Sequence, residues 1–283
     1  MKLEDVEVRR TQIAGGADIH YAEAGEGRPL VFVHGGFGDW LSWAPQWAAF
    51  APHFRCITYS RRYSIPNGNR STTTDHSVIA EARDLEALLD IWKAECPILV
   101  GTSYGAYTVL QLALTSHRKV SALALTEPPI LPFADLVHGG RDARIAFEQD
   151  VLHPANEAFA KGETERAVHL LTSGINGSAP SEATSTNGLA RRLRNAEAMR
   201  ALSLSSCAYP ELNIDKIRAL NVPTLLLAGQ NTQPIHSAIY CSLCRLMPQA
   251  EHMRVPDSGH GVHRDNPADF NRIVLQFLRA HGL

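Results

Sequence analysis

The 283-residue chain has no excess of positive charge: 27 Lys and Arg stand against 29 Asp and Glu, a formal net charge of −2. Phosphate backbones and acidic lipid surfaces are therefore not expected as partners, since neither finds a cationic face to bind. Long hydrophobic runs are missing too. Stretches such as Ile98 to Val100 and Leu225 to Ala228 have the length of buried strands, far short of the roughly 20 residues a membrane span needs. The first seven residues, Met1-Lys2-Leu3-Glu4-Asp5-Val6-Glu7, are acidic where an export signal needs a basic end and an apolar stretch. The expected location is cytoplasmic. Cysteine is sparse: Cys56, Cys96, Cys207, Cys241 and Cys244 are odd in number and scattered, which argues against a disulfide framework and for free thiols. Cys241 and Cys244 lack a second ligand pair, so no metal is expected, and nothing in the sequence asks for a cofactor.

What is present is an ordinary globular composition, 45% hydrophobic and 20% charged, on a chain long enough for one large core. Strand-like and helix-like segments alternate, the pattern of an α/β protein with a mostly parallel sheet covered on both faces. Val6 to Ile13 and Asp18 to Glu23 alternate in polarity around a Gly15-Gly16 turn and read as a hairpin. Pro29 to Val33, Arg55 to Thr58, Pro97 to Thr102, Val120 to Leu125, Pro223 to Gly229 and Glu251 to Val255 read as further strands. Ser77 to Lys93 places Val78, Ala82, Leu85, Leu88, Leu89 and Trp92 on one stripe, an amphipathic helix, and Pro267 to Ala280 is a closing helix. Residues 130–213 lack strand character and carry helical patterns at Asp142 to Val151, Glu163 to Leu171 and Leu189 to Met199. The chain is therefore read as a core of residues 1–129 and 214–283 with a helical cap, 130–213, inserted into it. Arg61-Arg62 and Arg191-Arg192 with Arg194 read as solvated faces. Trp40, Trp43 and Trp47 read as pocket lining or as packing residues.

Gly101-Thr102-Ser103-Tyr104-Gly105 follows an apolar strand and opens a helix. This is the context in which G-x-S-x-G forms a strained turn that exposes a serine hydroxyl as a nucleophile. A serine needs a base to take its proton, and a histidine is the usual one near neutral pH. Among 13 histidines, His260 is preferred, on the Ser258-Gly259-His260-Gly261 turn after the last strand. His263 is the rival; His34 and His117 read as structural.

With His34-Gly35-Gly36 after the third strand, Gly101 to Gly105, and Ser258-Gly259-His260 in this order, the chain resembles the α/β-hydrolase superfamily over almost its whole length. The resemblance implies an eight-stranded, mostly parallel sheet with a helical cap between strands six and seven. It also implies an oxyanion hole made by the backbone N–H groups of Gly36 and Tyr104. Most relatives carry an aspartate shortly after strand seven, where this chain has Gly229-Gln230-Asn231-Thr232-Gln233-Pro234. A histidine base still needs an acceptor at its second nitrogen. Glu127, ending strand six, is the expected substitute, an arrangement similar to that of zearalenone-type lactonases. Asp257 is the second choice and a Ser-His dyad the third.

The expected activity is hydrolysis of a small carboxylic ester or lactone through an acyl-enzyme on Ser103. A C–C bond hydrolase, a thioesterase and a low-turnover small-molecule binding protein stay open as alternatives. A small-molecule substrate is the expected partner, and the sequence is compatible with a homodimer.

Overall fold

A computed structural model describes residues 1–71, 74–177 and 183–283. The apolar runs become β1 Val8–Gln12, β2 Asp18–Ala24, β3 Pro29–Val33, β4 Arg55–Tyr59, β5 Ile98–Thr102, β6 Ala122–Thr126, β7 Thr224–Gly229 and β8 Glu251–Val255. They form one eight-stranded sheet in the order β1-β2-β4-β3-β5-β6-β7-β8. The β1–β2 and β2–β4 pairs are antiparallel, and every pair from β4 through β3 to β8 is parallel.

Alternation along the central strands decides which layer each side chain joins, because successive side chains of a strand leave opposite faces. Leu30, Phe32, Ile98, Val100, Leu225 and Leu227 pack on one face against Trp43, Trp47 and the closing helix Pro267–Ala280. Val31, Val33, Leu99, Leu123, Leu125 and Leu226 pack on the other, against the helices Val78–Ile91, Tyr104–Thr115 and Pro234–Leu246. Burial on both faces is what makes these strands near-continuous apolar runs. The edge strands are the exceptions: Val8, Arg9, Arg10 and Gln12 of β1 and Glu251, His252 and Met253 of β8 are exposed.

Between β6 and β7 the described residues are helical, with Gly140–Phe147 running into a π-helical stretch, Glu148–Leu152, followed by His153–Ala160 and Thr164–Asn176. Residues 178–182 of the expected cap lie outside the described residues. The single helix expected at Leu189 to Met199 is two, Thr186–Arg194 and Ala196–Ser203. The break falls at Asn195, whose side chain is committed elsewhere: its amide donates to Asp39 Oδ2 at 2.9 Å and its carbonyl accepts from the Ile65 N–H at 3.0 Å.

The reading of Arg61-Arg62 as a solvated face is corrected. Arg61 is not on a solvated face but 1% exposed and paired with Glu81, while Arg62 is paired with Asp84 through two hydrogen bonds. Arg191 and Arg192 are half-buried and line the cavity that Ser103 also lines, whereas Arg194 is exposed, as read. Trp43 and Trp47 are fully buried and pack in the core layer under the closing helix, the second of the two roles open to them, and Trp43 packs on the cavity-lining His263 at a ring separation of 4.6 Å.

Candidate active site

The sheet order reverses direction at β3, with β4 on one side and β5 on the other. In an open α/β sheet this leaves a crevice beyond the carboxyl ends of the flanking strands, the usual place for a ligand. The loops leaving β3 and β5 meet there. A Cβ added to Gly35 would lie 3.1 Å from Ser103 Cβ.

Ser103 follows β5 at φ +52°, ψ −126°, and caps the helix Tyr104–Thr115. A non-glycine residue in this region is strained by about 1–3 kcal/mol and persists only where its surroundings hold it. The two glycines of the motif permit the turn by their lack of a side chain. A Cβ on Gly105 would lie 2.2 Å from the Val33 carbonyl oxygen, and one on Gly101 would lie 2.7 Å from the Ala106 backbone nitrogen. The elbow thus locks the helix N-terminus against β3. The first N–H groups of a helix have no intrahelical acceptor and sit at the positive end of its dipole, so Tyr104 N–H is a ready donor to an anion beside Ser103.

Sheet register brings the acid to the same level. Thr102 pairs with Thr126, so Ser103 and Glu127 are the next residues of neighbouring strands, and Ser103 N–H donates to the Thr126 carbonyl at 2.7 Å. Glu127 also has a positive φ, +43°. Its carboxylate turns toward β7, accepting from the Gly229 N–H at 2.8 Å through Oε1 and from the Thr232 hydroxyl at 2.8 Å through Oε2. His260 Nδ1 lies 2.6 Å from the same Oε2. A carboxylate can only accept, so Nδ1 carries the proton and Nε2 is left with its lone pair. The loop residue Thr232, beyond the end of β7, therefore holds the same carboxylate oxygen that faces His260.

Ser103 and His260 line one cavity with Gly36 and Tyr104. Among the described residues no direct hydrogen bond joins Ser103 to His260. Such bonds are commonly long before substrate arrives. Phe147, Leu152, Leu171, Ile175 and Met199, from the helices between β6 and β7, supply part of the apolar wall. Met199 sulfur occupies the space beside Gly36, where a Cβ would come within 2.3 Å of it.

Burial dominates the proton affinities. It lowers the His260 pKa to about 3, with the Arg192 cation acting in the same direction, so the resting imidazole is neutral. Burial pushes the Glu127 carboxyl up, opposed by His236, the Gly229 N–H and Thr232. His263, the rival base, is buried against Trp43 at a ring separation of 4.6 Å, and neither of its nitrogens has a hydrogen-bond partner. Asp257 is exposed and makes no hydrogen bond to His260.

Sequence reasoning gave no role to His236, which stacks on His260 at 4.1 Å and 25°. The Ile175 backbone is a polar neighbour, but neither His236 nitrogen makes a well-formed hydrogen bond. Its only sequence signal is a place two residues after Pro234 at the start of a helix. Glu127, His236 and His260 carry potential ligand atoms within 4.8 Å of one another. The two stacked rings hold their lone pairs in nearly parallel planes, and the Glu127–His260 contact is already a short hydrogen bond. The group fits a proton-handling set better than a metal centre.

A family model for the alpha/beta hydrolase fold matches residues 28–267, and the chain belongs to that family. It is similar to the mouse (Mus musculus) sn-1-specific diacylglycerol lipase ABHD11, 26% identical over 253 residues, covering 88% of this chain and 80% of the relative. It is also similar to the 2-hydroxy-6-oxo-6-(2'-aminophenyl)hexa-2,4-dienoic acid hydrolase of Metapseudomonas resinovorans, 25% identical and covering 98% and 93% of the two chains. Among solved structures the enol-lactonase from Burkholderia xenovorans LB400 shares the fold, with a TM-score of 0.77 at 18% identity over 96% of this chain and 100% of that one. No helix among the described residues is long and apolar enough to cross a membrane.

Proposed function

We propose that this protein is a serine hydrolase that cleaves a carboxylic ester or lactone of a small molecule through an acyl-enzyme. The observation that carries this reading is the hydrogen bond from His260 Nδ1 to Glu127 Oε2 at 2.6 Å, in a cavity that also exposes the strained Ser103. In this reading His260 Nε2 takes the Ser103 proton as Oγ attacks the acyl carbon. Glu127 keeps the tautomer fixed and steadies the imidazolium that forms. The N–H groups of Gly36 and Tyr104 receive the oxyanion. His260 returns the proton to the leaving alcohol, then activates water to release the acid. Residues 130–213 act as the cap that supplies the apolar wall for the acyl or alcohol portion.

The lipase relative supports the ester reading, and a serine at the elbow suits it. A second reading, hydrolysis of a C–C bond beside a ketone, is supported by the dienoic acid hydrolase relative and uses the same residues. Purified protein incubated with p-nitrophenyl acetate, p-nitrophenyl octanoate, aryl lactones and a vinylogous diketone separates the two. Turnover of esters or lactones with a burst of one acyl group per chain is expected. Cleavage of the diketone alone would overturn the ester assignment.

A further inference from the structure

Beneath the loop that follows β3 lies a guanidinium shut off from solvent. Arg61 donates from Nη1 to Glu81 Oε1 at 2.9 Å. Its Nη2 reaches the Gly35 carbonyl at 3.2 Å and the Gly36 carbonyl at 3.5 Å. Glu81 is 2% exposed and is also met by His76 Nε2 at 3.0 Å. The loop is gripped from a second direction by His34. Its Nε2 accepts the Arg61 backbone N–H at 2.9 Å, which leaves Nδ1 to donate to the Gly35 carbonyl at 2.8 Å.

A planar trans peptide points its N–H opposite its C=O. The Gly35 carbonyl shares a peptide with the Gly36 N–H, and the Gly36 carbonyl shares one with the Phe37 N–H. Drawing both carbonyls toward Arg61 turns both N–H groups away from it, and Gly36 and Phe37 line the cavity with Ser103. The same guanidinium lies 5.2 Å from the centre of the Tyr104 ring, whose backbone is the second proposed donor. One cation thus touches the residues on both sides of the oxyanion position.

Stability alone does not account for this cation. Burying an ion pair is often no better than burying apolar residues of the same volume, and Arg61 Nε has no hydrogen-bond partner. We infer that Arg61, held in place by Glu81, is a positioning residue that aims the Gly36 N–H at the oxyanion and fixes it relative to the Tyr104 donor. The inference rests on the reading of Ser103 as nucleophile.

Arg61→Met, Arg61→Lys and the double variant Arg61→Met/Glu81→Met test it, the double variant avoiding an unpaired buried carboxylate. Three quantities are read on folded protein verified by circular dichroism: kcat and KM for a p-nitrophenyl ester, the affinity of an alkyl trifluoromethyl ketone, and that of the matching methyl ketone. The trifluoromethyl ketone adds a serine Oγ to its carbonyl carbon and places an oxyanion in the hole, whereas the methyl ketone binds as an unreacted ligand. Loss of a whole oxyanion donor costs about 10²–10³ in kcat, so a misaimed one is expected to cost about 10–100-fold. The expected result is that loss in kcat for both Met variants, KM within about threefold, and trifluoromethyl ketone affinity weakened in parallel while methyl ketone affinity holds. Arg61→Lys recovers part of the loss. A folded double variant with wild-type kcat and trifluoromethyl ketone affinity overturns the positioning role and leaves the hydrolase reading standing. A wild-type protein that neither turns over esters nor binds the trifluoromethyl ketone overturns both.

Discussion

Glu127→Gln changes few atoms, yet it breaks the hydrogen-bond logic of the site. The carboxylate accepts from three donors, the Gly229 N–H, the Thr232 hydroxyl and His260 Nδ1, and donates to none. A glutamine offers one acceptor oxygen and one donor NH2. With its oxygen toward His260 and Thr232, the NH2 faces the Gly229 N–H, two donors in contact. With its oxygen toward Gly229, the NH2 faces His260 Nδ1, which must then become the acceptor, and the proton moves to Nε2 where the base is needed. Either arrangement loses the negative charge that steadies the imidazolium. A wrong-tautomer change of this kind in a serine triad costs about 10⁴ in kcat. We therefore expect kcat/KM to fall by about 10³–10⁴, or about 4–5 kcal/mol at 1.36 kcal/mol per tenfold. Initial rates on p-nitrophenyl acetate, with thermal melts to confirm folding, measure it directly. Asp257→Asn, an exposed change, should stay within about twofold. A Glu127→Gln protein within tenfold of wild type, or a large loss for Asp257→Asn, would refute the acid assignment.

Because burial lowers the His260 pKa and the base must be neutral to accept a proton, activity should persist as pH falls through the ordinary imidazole range. The acid limb of kcat/KM should lie below pH 6.5; a limb centred above pH 7 would show an imidazole stabilised in its charged form. Gly105→Ala forces a Cβ onto the Val33 and His34 carbonyl oxygens, at 2.2 and 2.5 Å. With backbone on the other side of the clash, the cost is expected to exceed about 3 kcal/mol, seen as insoluble protein or a melting temperature lowered by about 6 °C or more. A soluble variant melting with wild type would contradict the close-packed elbow.

Where the signal was local, the sequence read well. β3 and β8 begin and end where the apolar and alternating runs do, and Gly101 of the elbow is demanded by a contact inside its own strand-turn-helix unit, with Ala106, whereas Gly105 is demanded by the distant Val33 and His34 carbonyls. Glu127 is expected from the chemical need of His260 for an acceptor, and the register of β5 with β6 sets it beside Ser103, its carboxylate 2.6 Å from His260 Nδ1; its role as the acid is part of the proposal. Failures came where the deciding partner is distant in the chain. The Arg61-Arg62 pair alone carries no sign of its partner, because Glu81, 2% exposed, sits 20 residues on in the helix Val78–Ile91. The helix expected through residue 195 breaks because the Asn195 side chain bonds Asp39 and Ile65, contacts that no helical period encodes. His236 was invisible for the same reason: its stacking on His260 joins the start of one helix to a loop after another strand.

Covalent capture at the elbow interrogates the mechanism most directly. Protein treated with a fluorophosphonate and analysed by peptide mass spectrometry should carry one adduct, on Ser103, formed within minutes, and His260→Ala should slow that labelling by at least a hundredfold. Labelling at another serine, or equal rates in the two proteins, would contradict a hydroxyl activated by His260.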